Sequence, residues 1–203
     1  MNGVPSPSLS TDWSANSDAT EWTFNLRKGI YFHDGSAFDA PDVKYSLMRA
    51  KDPDIGSPVR KSLNVVEDIE VVDQHTVKMK LSTSFADFPL LLTDYRLRMI
   101  PEGSGDTIGQ TGVGTGPFMV DKFDPEGTTI LKANPEYWEG APGVAEVHVI
   151  AIPDAQARIQ APTYICRNPL MCAPDEFAIS IEALSQNAAV FDRCMMQKGY
   201  TVQ

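Results

Sequence analysis

Apolar side chains recur at every second position in two short runs, Trp22/Phe24/Leu26 and Val77/Met79/Leu81. Period-two alternation places all the apolar side chains of a run on one face of an extended chain, so each run reads as a half-buried strand. A sheet with one apolar face must bury it against a second layer, which commits the chain to a layered globular fold. Val65 to Val72, with Ile69 and Val71, forms a strand ahead of the second run. Asp73-Gln74-His75 joins the two as a tight hairpin. Arg27-Lys28-Gly29 turns the chain after the first run, and Ile30 to Phe32 reads as another short strand. Further on, Phe118 and Val120 alternate, Asp124-Pro125-Glu126-Gly127 is a turn, and Thr128 to Ala133 is the return strand. Val147, Val149 and Ala151 mark one more.

Helical signals are fewer. Asp39 is an N-cap with Asp42 three positions on, followed by an apolar stripe of Val43, Leu47 and Met48. Phe85, Phe88, Leu91 and Leu92 predict a short helix interrupted or started by Pro89. Pro153-Asp154 opens a helix to about Ala161, and Asp175 to Lys198 is one helical segment with Phe177, Ile181, Leu184 and Phe191 apolar. Residues 1–20, rich in Ser, Pro, Asn and Asp, read as a loop, as does the glycine-rich stretch Gly103 to Gly116. The expected class is α+β, a mixed sheet with short helices. At Pro162 the character changes, with three prolines and two cysteines before Pro174 is passed, so the domains are drawn as 1–161 and 162–203.

The net charge of −10 repels phosphate backbones and argues against nucleic-acid partners. No apolar run approaches the roughly 20 residues that cross a bilayer. The start, Met1-Asn2-Gly3-Val4-Pro5-Ser6, has neither the basic beginning nor the apolar core of a signal peptide. Read as written, the chain would stay in the cytoplasm. Cys166, Cys172 and Cys194 lack C-x-x-C spacing, which disfavours zinc. They are either one disulfide with a thiol left over or three unpaired thiols.

Several residues invite a chemical reading. His33-Asp34-Gly35 is either a metal or catalytic pair, or a turn in which Asp34 caps main-chain amides and Gly35 takes a positive φ; the turn is preferred. His75 at a hairpin tip and His148 in a strand share no ligand spacing with it. Gly112-Val113-Gly114-Thr115-Gly116-Pro117 lacks the Gly-Lys-Ser/Thr ending and following helix of a phosphate cradle, so it reads as a backbone crossover. Asp39 and Asp42 are explained by helix capping. Tyr137 and Trp138 either line a ligand cleft or pack against the neighbouring sheet, with packing preferred; they are the ligand-binding candidates. No catalytic triad is readable, and neither a cofactor nor a metal is expected.

Six motifs then accumulate in one order. They are Thr23-Phe24-Asn25-Leu26-Arg27-Lys28-Gly29-Ile30-Tyr31-Phe32-His33-Asp34-Gly35; Ala40-Pro41-Asp42-Val43-Lys44-Tyr45-Ser46-Leu47; the hairpin ending Thr76 to Leu81; Gly114-Thr115-Gly116-Pro117-Phe118; Asn134-Pro135-Glu136-Tyr137-Trp138; and Pro153-Asp154-Ala155-Gln156-Ala157-Arg158-Ile159. In this order the chain resembles the family 5 bacterial extracellular solute-binding proteins, which serve oligopeptide, dipeptide and nickel importers. The resemblance spans roughly residues 8–161 and implies part of the first lobe of a type II periplasmic-binding-protein fold. It implies a receptor without catalysis, which closes on short peptides or other small solutes by hinge motion and delivers them to an ABC permease. It also implies a periplasmic or cell-envelope location, against the cytoplasmic reading of the N-terminus. After Ala161 the family continues into G-[ED]-[IVL]-D, whereas Pro162-Thr163-Tyr164-Ile165-Cys166 stands here. The alternative is a truncated relic serving as a structural or interaction domain, its tail helix covering the face left by the missing lobe, or self-associating through that face.

Overall fold

A computed structural model describes residues 4–152, which form two compact units that meet between Gly116 and Pro117. The first carries an antiparallel sheet of β1 (Ser10–Ala15), β2 (Glu21–Leu26), β3 (Val66–Asp73) and β4 (Thr76–Leu81), in the order β1-β2-β4-β3. The two alternating runs sit side by side at its centre. Trp22 lies opposite Met79 and Phe24 opposite Val77, so both runs turn their apolar side chains to one face. Trp22, Phe24, Leu26, Val77, Met79 and Leu81 are all buried.

That face is covered by short helices. In α1 (Ala40–Lys51), Val43 and Leu47 are buried, and the helix packs on β3 and β4. Leu63 of α2 (Arg60–Leu63) and Phe88 of α3 (Phe88–Leu91) are completely buried. The Phe88 ring stands edge-on to Phe24 at 6.1 Å and tilted to Trp22 at 6.2 Å. Aromatic pairs in such offset arrangements add about 0.5–1.5 kcal/mol each beyond the area they bury. The hairpin is as the sequence predicts: Asp73 pairs with Thr76, and the Asp73 carboxylate accepts the His75 amide at 2.8 Å.

The second unit, beginning at Pro117, holds an antiparallel sheet of β5 (Phe118–Lys122), β6 (Thr128–Ala133) and β7 (Glu146–Ile150), with β6 central. Asp124 organises the β5–β6 turn, its amide donating to the Thr129 hydroxyl while its carbonyl accepts from the same hydroxyl. The α+β class stands, and the strand pairings described in both sheets are antiparallel.

Four expectations need correction. The N-terminal loop contains β1, an edge strand paired only with β2. Main-chain bonds hold it, and only Trp13, 6.4 Å from the Phe24 ring, brings apolar bulk, so no alternation announces it. Ile30 to Phe32 is not a strand. The chain reverses at once, Phe32 and Phe38 donate their amides to Ser36 and Ile30, and one bridge (Tyr31 to Ala37) is all the pairing that forms. Met48 lies outside the buried stripe of α1 at 43 % exposure, one residue past Leu47 on the helix surface. The glycine-rich loop contains a 3-10 turn (Ser104–Asp106) and α4 (Ile108–Thr111). The helices expected at 153–161 and 175–198, the three cysteines and the domain 162–203 lie outside the described residues.

Ile69 of β3 is wholly buried, whereas Val72 on the same strand is 51 % exposed. Ile69→Ala is expected to lower unfolding free energy in urea by about 2–5 kcal/mol, and Val72→Ala by no more than about 0.5. Equal losses at the two positions would mean that this face of the sheet is not the core.

Candidate functional site

Helix α1 has two working faces. Beside its apolar stripe, Asp42, Ser46 and Arg49 fall at i, i+4 and i+7, one stripe of a 3.6-residue helix, with Tyr45 next to them. All four bind the main chain of residues 100–105. The Asp42 carboxylate is buried; one oxygen accepts the Asp39 amide at the helix start (2.8 Å) and the other the Glu102 amide (2.8 Å). Ser46 Oγ accepts from the Ile100 amide at 2.9 Å and donates to the Ile100 carbonyl at 3.2 Å. The Tyr45 hydroxyl accepts the Gly105 amide and Arg49 donates to the Gly105 carbonyl. A Cβ at Gly105 would stand 2.5 Å from that hydroxyl and 2.8 Å from Arg49 Nε, so a side chain there would push the two side-chain ends aside from these bonds. Asp42 therefore completes the cap that the sequence predicts at Asp39 and, in addition, anchors a segment 60 residues away.

His33-Asp34-Gly35 forms a turn. Asp34 accepts from the Ser36 amide at 3.0 Å and the Ser36 hydroxyl at 2.6 Å, and Gly35 has φ 85°. The Ser36 hydroxyl, then its amide, hold the Asp34 carboxyl below the ordinary carboxylate range. The His33 ring points to the glycine-rich crossover. Nδ1 accepts the Gly114 amide at 3.3 Å and Nε2 faces the Gly116 carbonyl at 2.9 Å, while the His33 amide donates to the Gly114 carbonyl at 2.9 Å. An imidazole with Nε2–H donating satisfies all of these contacts. Both ring nitrogens are thus engaged with main chain. Sequence reading missed this tie because the partners are more than 80 residues apart and are backbone atoms, which no side-chain pattern reports.

Tyr137 and Trp138 lie in the second unit, just beyond β6, both half-buried. Buried Asn134 sets the loop: its amide donates to the Pro117 carbonyl, its side-chain oxygen accepts the Glu136 amide at 3.0 Å, and its carbonyl accepts the Tyr137 amide. The two rings stand 5.5 Å apart at 57°, and the Tyr137 hydroxyl donates to the Glu139 carboxylate at 2.6 Å. Burial, then the bond to Glu139, raises the phenol to about 12. His148 pairs with Glu146 on β7, in the same unit. His75 lies in the first, 3.7 Å from Asp39.

Two hollows open on the first unit. One, of about 660 Å³, lies at the hairpin end of its sheet and is polar, lined by Asp12, Asn25, Lys28, Gln74 and His75 among others. The other, of about 320 Å³, is lined by Val59, Leu90, Leu91, Leu97 and Asp94 among others. At its rim Arg96 binds Asp94 through two nitrogens, at 2.9 and 2.6 Å, and these bonds bring the Asp94 carboxyl down to about 2. Tyr137 and Trp138 line neither. Among the described residues no helix is long and apolar enough to cross a membrane.

The fold is that of part of a type II periplasmic-binding protein. Structures of that fold superpose on it. A binding protein from A. tumefaciens R10 in complex with mannopinic acid has a TM-score of 0.70 and 29 % identity, covering 75 % of this chain and 32 % of its own. Helicobacter pylori DppA in complex with the peptide STSA has a TM-score of 0.65 and 28 % identity, covering 77 % and 36 %. The model of the bacterial extracellular solute-binding proteins, family 5 (middle) matches residues 4–162, and the chain belongs to that family. Di/tripeptide-binding protein 2 of Pseudomonas aeruginosa is 28 % identical over 180 residues, 76 % of this chain and 34 % of the relative. The glutathione-binding protein of Salmonella paratyphi A is 33 % identical over 135 residues, 64 % and 26 %. The chain thus spans about a third or less of the length of these relatives. The family is one of extracellular solute-binding proteins, and the relatives named here are binding proteins.

Removing the His33 ring breaks its bonds to the Gly114 amide and the Gly116 carbonyl. His33→Ala is expected to cost about 1–3 kcal/mol in urea unfolding. A loss near zero would show that the tie contributes nothing. For Tyr137, the folded value lies above the usual 10, so the group supports the fold below pH 10 and that support is lost as pH rises towards 12. The difference in 295 nm absorbance between the wild type and Tyr137→Phe should develop near pH 12, and a midpoint near 10 would show the phenol to be solvated.

Proposed function

We propose that residues 1–161 are part of the first lobe of a substrate-binding receptor of an ABC importer, and that its solutes are short peptides. The observation that carries this reading is the family match over residues 4–162 on a lobe that superposes on a peptide-bound relative. Di/tripeptides and glutathione, named for the relatives, are peptides as well. A receptor of this kind works by binding and closure, the closed form engaging the permease. The bonds of α1 and His33 suit such a role, since they fix irregular backbone without reactive groups. Tyr137 and Trp138, half-buried on a rigid loop, offer aromatic faces and are the residues proposed for the cleft wall. The receptor would act in the periplasm, and 162–203 is proposed as a segment apart from the lobe.

A cleft between lobes needs both walls. The 203-residue chain alone is expected to show no thermal shift with di- to pentapeptides and a Kd weaker than about 1 mM, since stabilisation follows ligand concentration over Kd. Residues 4–161 grafted in place of the matching part of the Pseudomonas di/tripeptide-binding protein should restore binding. In that chimera Trp138→Ala should weaken binding about five-fold or more, as for the loss of one aromatic contact. Submillimolar binding by the chain alone would overturn the shared cleft. A folded chimera that binds no peptide would overturn the receptor reading and leave a structural relic.

A further inference from the structure

An aspartate followed by glycine can react with its own main chain. The nitrogen of the glycine attacks the side-chain carboxyl carbon, a five-membered succinimide closes, and the carboxyl hydroxyl leaves as water. A second water then opens the ring at either carbonyl. One opening restores aspartate; the other leaves isoaspartate, whose main chain runs through the former side chain and is one atom longer. Glycine favours the step because it sets no side chain beside the attacking nitrogen. Only water leaves and only water enters, so the change needs no oxidant or other reagent.

Among the described residues, Asp34-Gly35 is the one place where Asp or Asn precedes glycine. Asp34, Gly35 and Ser36 are all exposed, and the space where a Cβ on Gly35 would stand is open. Water therefore reaches this bond. Both reacting groups are nevertheless engaged. The Gly35 amide donates to the Phe32 carbonyl at 2.9 Å. Asp34 Oδ1 accepts the Ser36 amide at 3.0 Å and the Ser36 hydroxyl at 2.6 Å, which holds the carboxyl to the residue two ahead. Those bonds favour the ionised carboxylate, whereas water leaves only from the protonated acid.

We propose that Asp34-Gly35 is a site of isoaspartate formation in this chain, and that the Ser36 hydroxyl holds the reaction back. The neighbourhood gives the change its weight. The reversal is closed by the Phe32 amide on the Ser36 carbonyl at 2.8 Å, a bond that spans the point where the extra atom would enter. His33, the residue just before, carries the bonds to Gly114 and Gly116. The proposal is independent of the peptide-receptor reading and is tested without any ligand.

The full chain is incubated at mildly acidic pH, and the proteolytic peptide that holds Asp34 is followed by chromatography and electron-transfer fragmentation, which tell isoaspartate from aspartate at unchanged mass. The folded wild type should convert slowly, and the same chain unfolded in guanidinium at least about ten-fold faster, the factor that matches one lost hydrogen bond to a charged group. Ser36→Ala, shown by circular dichroism to be folded, should convert about ten-fold faster than the wild type for the same reason. Ser36→Thr keeps a hydroxyl and should stay at the wild-type rate. No isoaspartate at position 34 in the unfolded chain would overturn the site. Equal rates for the folded wild type and the unfolded chain, equal rates for the wild type and Ser36→Ala, or a fast Ser36→Thr would each overturn the protection.

Discussion

The first unit depends on the buried carboxylate of Asp42. Each oxygen takes one amide, from Asp39 at the start of α1 and from Glu102 on the crossing segment, both at 2.8 Å. One side chain thus satisfies two part-buried amides and joins two distant parts of the chain. Ser46, Tyr45 and Arg49 extend the same contact along about two turns of helix. From Gly105 the chain continues to Gly114 and Gly116, where His33 takes over. The crossover is therefore held at two places, each time through its main chain.

Holding a segment by its backbone has a bearing on the family. A carbonyl or amide is present whatever the side chain, so the held segment can change sequence while its path is kept. The holders cannot change as freely, since Asp42, Ser46, Tyr45 and Arg49 each supply the side-chain atom that makes the bond. A superposition at a TM-score of 0.70 with 29 % identity is what such an arrangement allows.

The regular parts of this fold were legible in the sequence because burial writes itself as a period. Trp22/Phe24/Leu26 and Val77/Met79/Leu81 alternate because one face of the sheet is dry. The cap at Asp39/Asp42 and the hairpin at Asp73 are local, and local bonds leave local signals. β1 left none, since an edge strand paired through its main chain has no dry face of its own. Tyr31 shows the converse: apolar residues on both sides of it are buried in a reversal rather than a strand. The candidate residues fared in the same way. The Asp34 turn was readable from its three residues, whereas the His33 partners and the second role of Asp42 lie in long-range bonds to backbone. A polar stripe at i, i+4, i+7 on α1 was the available signal, and it resembles an ordinary solvated face until the partner segment is known.

The outer strand β3 bears on how this protein behaves when crowded. An edge strand offers a row of unpaired amides and carbonyls on which another chain can add, the first step to amyloid-like stacking. Here that edge carries Glu67, Asp68 and Glu70, all exposed, and its register slips at two places, between Val66 and Asp68 and between Val71 and Asp73. Acidic side chains repel an identical strand, and the irregularities keep the edge from lying straight against it. Exposed Val71 and Val72 can therefore remain at the surface without making the strand a template for polymerisation.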